Sequence, residues 1–175
     1  MNRRTILKLI AAGVLPGPAR FVSLAQVSDA YQPYFFSADE MALLDQLAEI
    51  IIPADEHSGG SRAARVNRYI DVVVSESNAA VQRRWQEGLR AINQQAADSF
   101  GSPFVPCTPE QQQTIVATLA AGEDRPRTAD AQFFVLLKQA TVDGYYSSKI
   151  GIHDELEYQG NTALSEFSGC THPEH

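Results

Sequence analysis

The chain has 175 residues, 44% hydrophobic and 20% charged, with a formal charge of −7. An acidic balance argues against nucleic acid, whose phosphates call for clustered Lys and Arg, and against direct adsorption to an anionic membrane surface. The imbalance deepens beyond the N-terminus: residues 1–25 hold Arg3, Arg4, Lys8 and Arg20 and no acid, so the rest stands at −11, four below the whole chain.

Those first 25 residues have the three parts of a bacterial export peptide. Arg3-Arg4-Thr5-Ile6-Leu7-Lys8 is followed by an apolar run from Leu9 to Leu15, and a small-x-small end closes at Ser23-Leu24-Ala25. The run falls short of the roughly 20 apolar residues of a membrane span, and Gly13, Pro16 and Pro18 interrupt or bound it. The paired arginines, Arg3 and Arg4, point to the twin-arginine route, with cleavage expected after Ala25 and a periplasmic destination. That route moves folded cargo, which commonly acquires a cofactor or a partner first. About 150 residues then remain, enough for one domain with a moderate core, and no second apolar stretch reaches spanning length.

Residues 26–36 read as an extended linker whose aromatics, Tyr31, Tyr34, Phe35 and Phe36, lie against the domain rather than free. Ser37-Ala38-Asp39-Glu40 is a capping box. It opens a helix with Leu43, Leu44, Leu47, Ile50 and Ile51 at helical spacing, stopped by Pro53. After the loop Pro53–Gly60, Ser61 is expected to cap a second helix, Arg62 to about Ser75, with Ala63, Val66, Tyr69, Ile70 and Val73 facing inward. A third spans about Ala79–Ser99, burying Val81, Trp85, Leu89, Ile92 and Ala96 beneath a polar outer face. Thr108-Pro109-Glu110-Gln111 starts a fourth, with Thr as cap and Pro at the first helical position. It carries Ile115, Val116 and Leu119 and ends near Gly122. The fifth, about Ala129–Ser147, presents Phe133, Phe134, Leu136, Leu137 and Ala140. From Lys149 helical periodicity stops. The fold class is all-α: one domain of about five helices over 37–148, then an irregular segment, 149–175.

The chain lacks a phosphate-cradling Gly-rich loop, a GxGxxG and a Cys-x-x-Cys-His, so no nucleotide, flavin or covalent haem motif of its own is present. Cys170-x-His172-x-x-His175 has the most metal-like spacing, thiolate and imidazole both suiting zinc or copper. These ligands fall in the last six residues, with no scaffold around them, and a polar tail is the simpler reading. Asp55, Glu56 and His57 can be written as an acid and a base, yet no nucleophile accompanies them, and Asp55 capping its loop or pairing with Arg62 or Arg65 is simpler. The two cysteines, Cys107 and Cys170, leave three states open: an internal disulfide worth about 4 kcal/mol in the entropic description, a bond to another subunit, or free thiols. Gly144-Tyr145-Tyr146, then Leu156-Glu157-Tyr158-Gln159-Gly160-Asn161, then Phe167-Ser168-Gly169-Cys170, interleave aromatics with glycines and polar groups. Free tails hold few aromatics. This composition suits an ordered strip lying on a partner or on the chain's own helices.

Taken together, these pieces resemble the gluconate 2-dehydrogenase subunit 3 family. The residues that carry the resemblance are the twin-arginine start, Phe36-Ser37-x-x-Glu40, Leu47-Ala48-Glu49-Ile50-Ile51-Ile52-Pro53-Ala54-Asp55 and Val66-Asn67-Arg68-Tyr69-Ile70-Asp71. Asp143-Gly144-Tyr145-Tyr146 followed by Gly160-Asn161 completes them. The resemblance implies a non-catalytic small subunit that lends its export signal to a large FAD-dependent flavoprotein of the glucose-methanol-choline (GMC) oxidoreductase type and assists its maturation. It also implies electron transfer onward to a cytochrome c or similar acceptor, and a partner interface at Tyr145, Tyr146, Tyr158, Gly160 and Asn161. The ending Phe167–His175 looks like a variant that accompanies sugar- or glucoside-oxidising partners, including glucoside 3-dehydrogenases.

Overall fold

The computed structural model describes residues 31–161. Arg3 and Arg4, expected as an export signal, and the tail candidates Cys170, His172 and His175 lie outside the described residues. The helical domain belongs to the compact unit that begins at Gln32. Its described elements are α1 (Ala38–Ile51), α2 (Val66–Ser75), α3 (Ala79–Phe100), α4 (Pro109–Ala120), α5 (Ala129–Tyr146) and a π-helical turn (Gly151–Glu155). No strand occurs among the described residues. The all-α expectation is met.

Local chemistry sets most helix starts. Ser37 and Glu40 form the expected reciprocal box: the Glu40 N–H donates to Ser37 Oγ at 3.3 Å, and the Ser37 N–H to Glu40 Oε2 at 2.9 Å. Thr108 and Gln111 repeat it on α4, with Pro109 opening the helix. Asn78 and Thr128 cap α3 and α5.

The exception is α2. Its first helical residue is Val66, not Arg62, and its N-cap is Arg65 in the left-handed region at φ 58°, with no side-chain cap. Ser61, expected as the cap, is instead tied down by its backbone: its N–H donates to Ile52 O and its carbonyl accepts from Val66. The later start changes which residues face inward. Val66 and Ile70 are buried as expected, whereas Ala63, Tyr69 and Val73 are exposed; Asp71 and Val74 take the inner positions.

α5 touches each of the other four helices and the π-helical turn. At the core, Phe36, Trp85 and Phe133 meet edge to face, with ring centroids 6.1 and 5.4 Å apart, a geometry aromatic pairs prefer. Gly88 lets α3 approach Phe133, since a Cβ there would fall 2.2 Å from the ring. The linker aromatics are divided: Phe36 is buried, Phe35 half-buried and Tyr34 exposed. Their backbone is fixed by the fully buried Asp71, whose carboxylate accepts from the N–H groups of Tyr34, Phe35 and Phe36 at 2.7, 3.0 and 3.0 Å.

Candidate partner-binding face

The motif segments that lie far apart in sequence meet at one end of the helical bundle. Glu49, near the end of α1, closes the Pro53–Gly60 loop: its Oε1 accepts from the Ala54 N–H at 3.3 Å and its Oε2 from the Arg62 N–H at 2.8 Å. Gly60 is required by close approach, because a Cβ there would sit 2.4 Å from Ala54 N and 2.8 Å from Glu49 Oε1. Within the loop, Asp55 Oδ1 accepts from the N–H groups of His57 and Ser58, both at 2.8 Å. Those bonds, the one from Ser58 first, hold the Asp55 carboxyl below its ordinary range. Asp55 thus caps its own loop. Arg62, one of the two arginines considered as its partner, pairs with Asp45 at 2.7 Å.

The loop delivers Ser58 to the C-terminal end of α5. Ser58 Oγ lies 2.6 Å from Tyr145 Oη and donates to Glu155 Oε2 at 2.8 Å. A serine hydroxyl has one proton and two acceptor sites, so with Glu155 taking the proton, Tyr145 donates. Burial raises the Tyr145 phenol, and the nearby Glu155, Tyr146 and Asp55 push the same way against the Ser58 bond. Tyr145 is only 1% exposed. Its expected place on a partner-facing surface is therefore corrected: the ring is interior, because the backbone at the end of α5 turns it toward the Ser58 loop while Gly144 packs beneath Tyr69.

Beyond α5 the chain reverses. At Gly151 a Cβ would stand 2.1 Å from the Tyr145 carbonyl oxygen, so only glycine permits the approach. The π-helical turn that follows was not foreseen. It is continued by the Leu156 N–H donating to Gly151 O and the Tyr158 N–H to Ile152 O, each at 3.0 Å. His153 Nδ1 lies 3.3 Å from the Tyr158 carbonyl, and Tyr158 Oη donates to Asn161 Oδ1. Gly160 takes φ 95°, a backbone state that suits glycine. This ordered return displays Leu156 at 58% exposure and Tyr158 at 46%, while Tyr146, stacked edge to face on Tyr145, is 39% exposed. Gly160 and Asn161 are exposed too, and Asp143 is exposed and accepts from Gln139.

Cys107 is a buried thiol whose Sγ donates to Pro103 O at 3.3 Å; its possible partner Cys170 lies outside the described residues. Among the described residues, no three His, Cys, Asp or Glu side chains are grouped to hold a metal ion, and no helix is long and apolar enough to cross a membrane. Sequence reasoning missed Ser58 and Glu155. The isolated Ser58 and Glu155 give no local signal, since their partners lie 87 and 97 residues away.

The segments assembled here, the Glu49–Asp55 block and the Gly144-Tyr145-Tyr146 turn with the return beyond it, fall within residues 38–162, and those residues match the family model for gluconate 2-dehydrogenase subunit 3. The chain belongs to that family. Comparison with curated proteins and with solved structures gave no match. Family membership places the chain among the accessory subunits of dehydrogenase complexes, and the framework at the end of the bundle is where this member's most recognisable residues converge.

Proposed function

We propose that the chain is the non-catalytic small subunit of a periplasmic, FAD-dependent dehydrogenase complex. The large subunit is a GMC-type flavoprotein that oxidises a sugar, polyol or glycoside, in the manner of a glucoside 3-dehydrogenase, and passes electrons to a cytochrome c. The small subunit binds it in the cytoplasm, stabilises its folded, FAD-loaded state and supplies Arg3 and Arg4 as the export address for both.

One observation carries the reading. The polar groups of the motif residues are used within the fold: Glu49 on its loop, Asp55 on its own turn, and Tyr145 in one hydrogen-bonded set with Ser58 and Glu155. Such a set fixes a shape. What it holds outward is apolar and aromatic, Tyr146, Leu156 and Tyr158, alongside Gly160 and Asn161. Aromatic anchors held rigidly lose little entropy on binding and are the residue type that dominates interface energetics. Binding the folded flavoprotein in preference to the unfolded one stabilises it by mass action.

The carrier role is tested by Arg3→Lys combined with Arg4→Lys, which preserves charge. Both subunits are expected to remain in the cytoplasm, read by fractionation and immunoblotting. A flavoprotein that still reached the periplasm in normal amount would show that its export does not depend on this chain.

A further inference from the structure

The α2 helix bears a second apolar face, which begins where Tyr69 covers Gly144 of α5. Tyr69, Val72 and Val73 are 37%, 43% and 46% exposed. Valine is a poor helix former, so two adjacent valines left in water on a helix satisfy neither propensity nor burial. The face ends at Arg65, the N-cap, and Glu76, the C-cap, both exposed. Neither side chain has an ion pair or side-chain hydrogen bond with a described residue. Each charge also stands at the wrong end of its own helix: a cation at the positive N-terminus, an anion at the negative C-terminus.

Both mismatches are removed by one arrangement. Residues 65, 69, 72 and 76 follow the i, i+4, i+7, i+11 spacing of a single helix face, and their order is symmetric about the midpoint between Ile70 and Asp71. An identical α2 running antiparallel sets Arg65 against Glu76 of the second copy, Tyr69 against Val72, and the same pairs again across the two-fold axis. This is the self-complementarity that an isologous interface requires. Each Arg65 then lies beside the C-terminus of the facing helix and each Glu76 beside its N-terminus, where the helix dipoles favour them. We infer that α2 is a homodimerisation face, through which two copies of this chain pair antiparallel. The occupant is a second copy and not an unrelated protein, because the two free charges complement each other only when the face meets itself reversed. A ten-residue helix covers less than the roughly 800 Å² per partner of a standard interface, so the dimer is reversible and concentration-dependent. The inference is independent of the accessory-subunit reading.

The test is sedimentation velocity on the purified full chain over a wide concentration series, with circular dichroism to confirm folding. The native chain is expected to shift from monomer to dimer as concentration rises. Arg65→Glu and Glu76→Arg, each alone, set like charges against each other at both ends and are expected to weaken dimerisation about tenfold or more. Mixing the two variants one to one restores it, since one chain then presents two acidic ends and the other two basic ends. A native chain that stays monomeric at its highest soluble concentration overturns the inference. So do single variants that dimerise like the native chain, or a mixture no better than its components.

Discussion

Tyr145 illustrates how one residue ties the motif to stability. Its phenol is buried, lies 2.6 Å from Ser58 Oγ, and is raised above its ordinary value of 10.0, chiefly by burial. The folded chain therefore holds the phenolic proton more tightly than the unfolded chain. The stability this contributes is fully present below the unfolded value and is lost as pH rises through the folded one. Tyr145→Phe keeps the ring but leaves Ser58 with Glu155 alone. It is expected to cost about 1 kcal/mol at neutral pH and to flatten the alkaline fall in stability, measured as urea midpoints at neutral pH and above pH 10. An unchanged alkaline slope would mean that Tyr145 loses its proton over the same pH range in the folded and unfolded chains. Asp55 acts at the other extreme: its lowered carboxyl contributes stability that is present above its ordinary value of 3.8 and declines as pH falls.

At the scale of elements, the helices were legible where their signals are local and obscure where they are not. Ser37 with Glu40, and Thr108 with Gln111, announce α1 and α4 because a capping box needs only four residues. Ser61 offered the same kind of signal and was overridden by tertiary structure, since Glu49 takes the Arg62 N–H and the chain remains in turns until Arg65. That displacement accounts for the exchange of Val73 for Val74 in the core. Asp71 was legible as part of a motif, but not as the acceptor for three N–H groups some 35 residues away. Its role yields a prediction for the strap it holds: Asp71→Ala is expected to destabilise the domain by about 2–3 kcal/mol and to speed amide exchange at Tyr34, Phe35 and Phe36. Hydrogen exchange with protection retained at those amides would mean that packing of Phe36, not Asp71, fixes the strap. The π-helical turn was not legible, because five residues are too few for periodicity, and its cause, Gly151 against the Tyr145 carbonyl, is a contact between two segments.

For the whole molecule, the candidate site was legible as a set of segments and illegible as a shape. Gly144-Tyr145-Tyr146 and the strip from Leu156 to Asn161 are readable as segments, but sequence alone does not say which tyrosine turns inward; Tyr145 does, while Tyr146, Leu156 and Tyr158 remain at the surface. Composition adds a constraint of its own. A chain at −7 that carries exposed aromatic anchors is suited to a protein partner more than to nucleic acid. The central claim is that this partner is a flavoprotein. Its most direct test is affinity capture of the chain from the cells that make it, recording subunit masses and the absorbance spectrum together. The account predicts a large second subunit with a flavin spectrum in fixed ratio to the chain; a colourless chain recovered without a second subunit would contradict it.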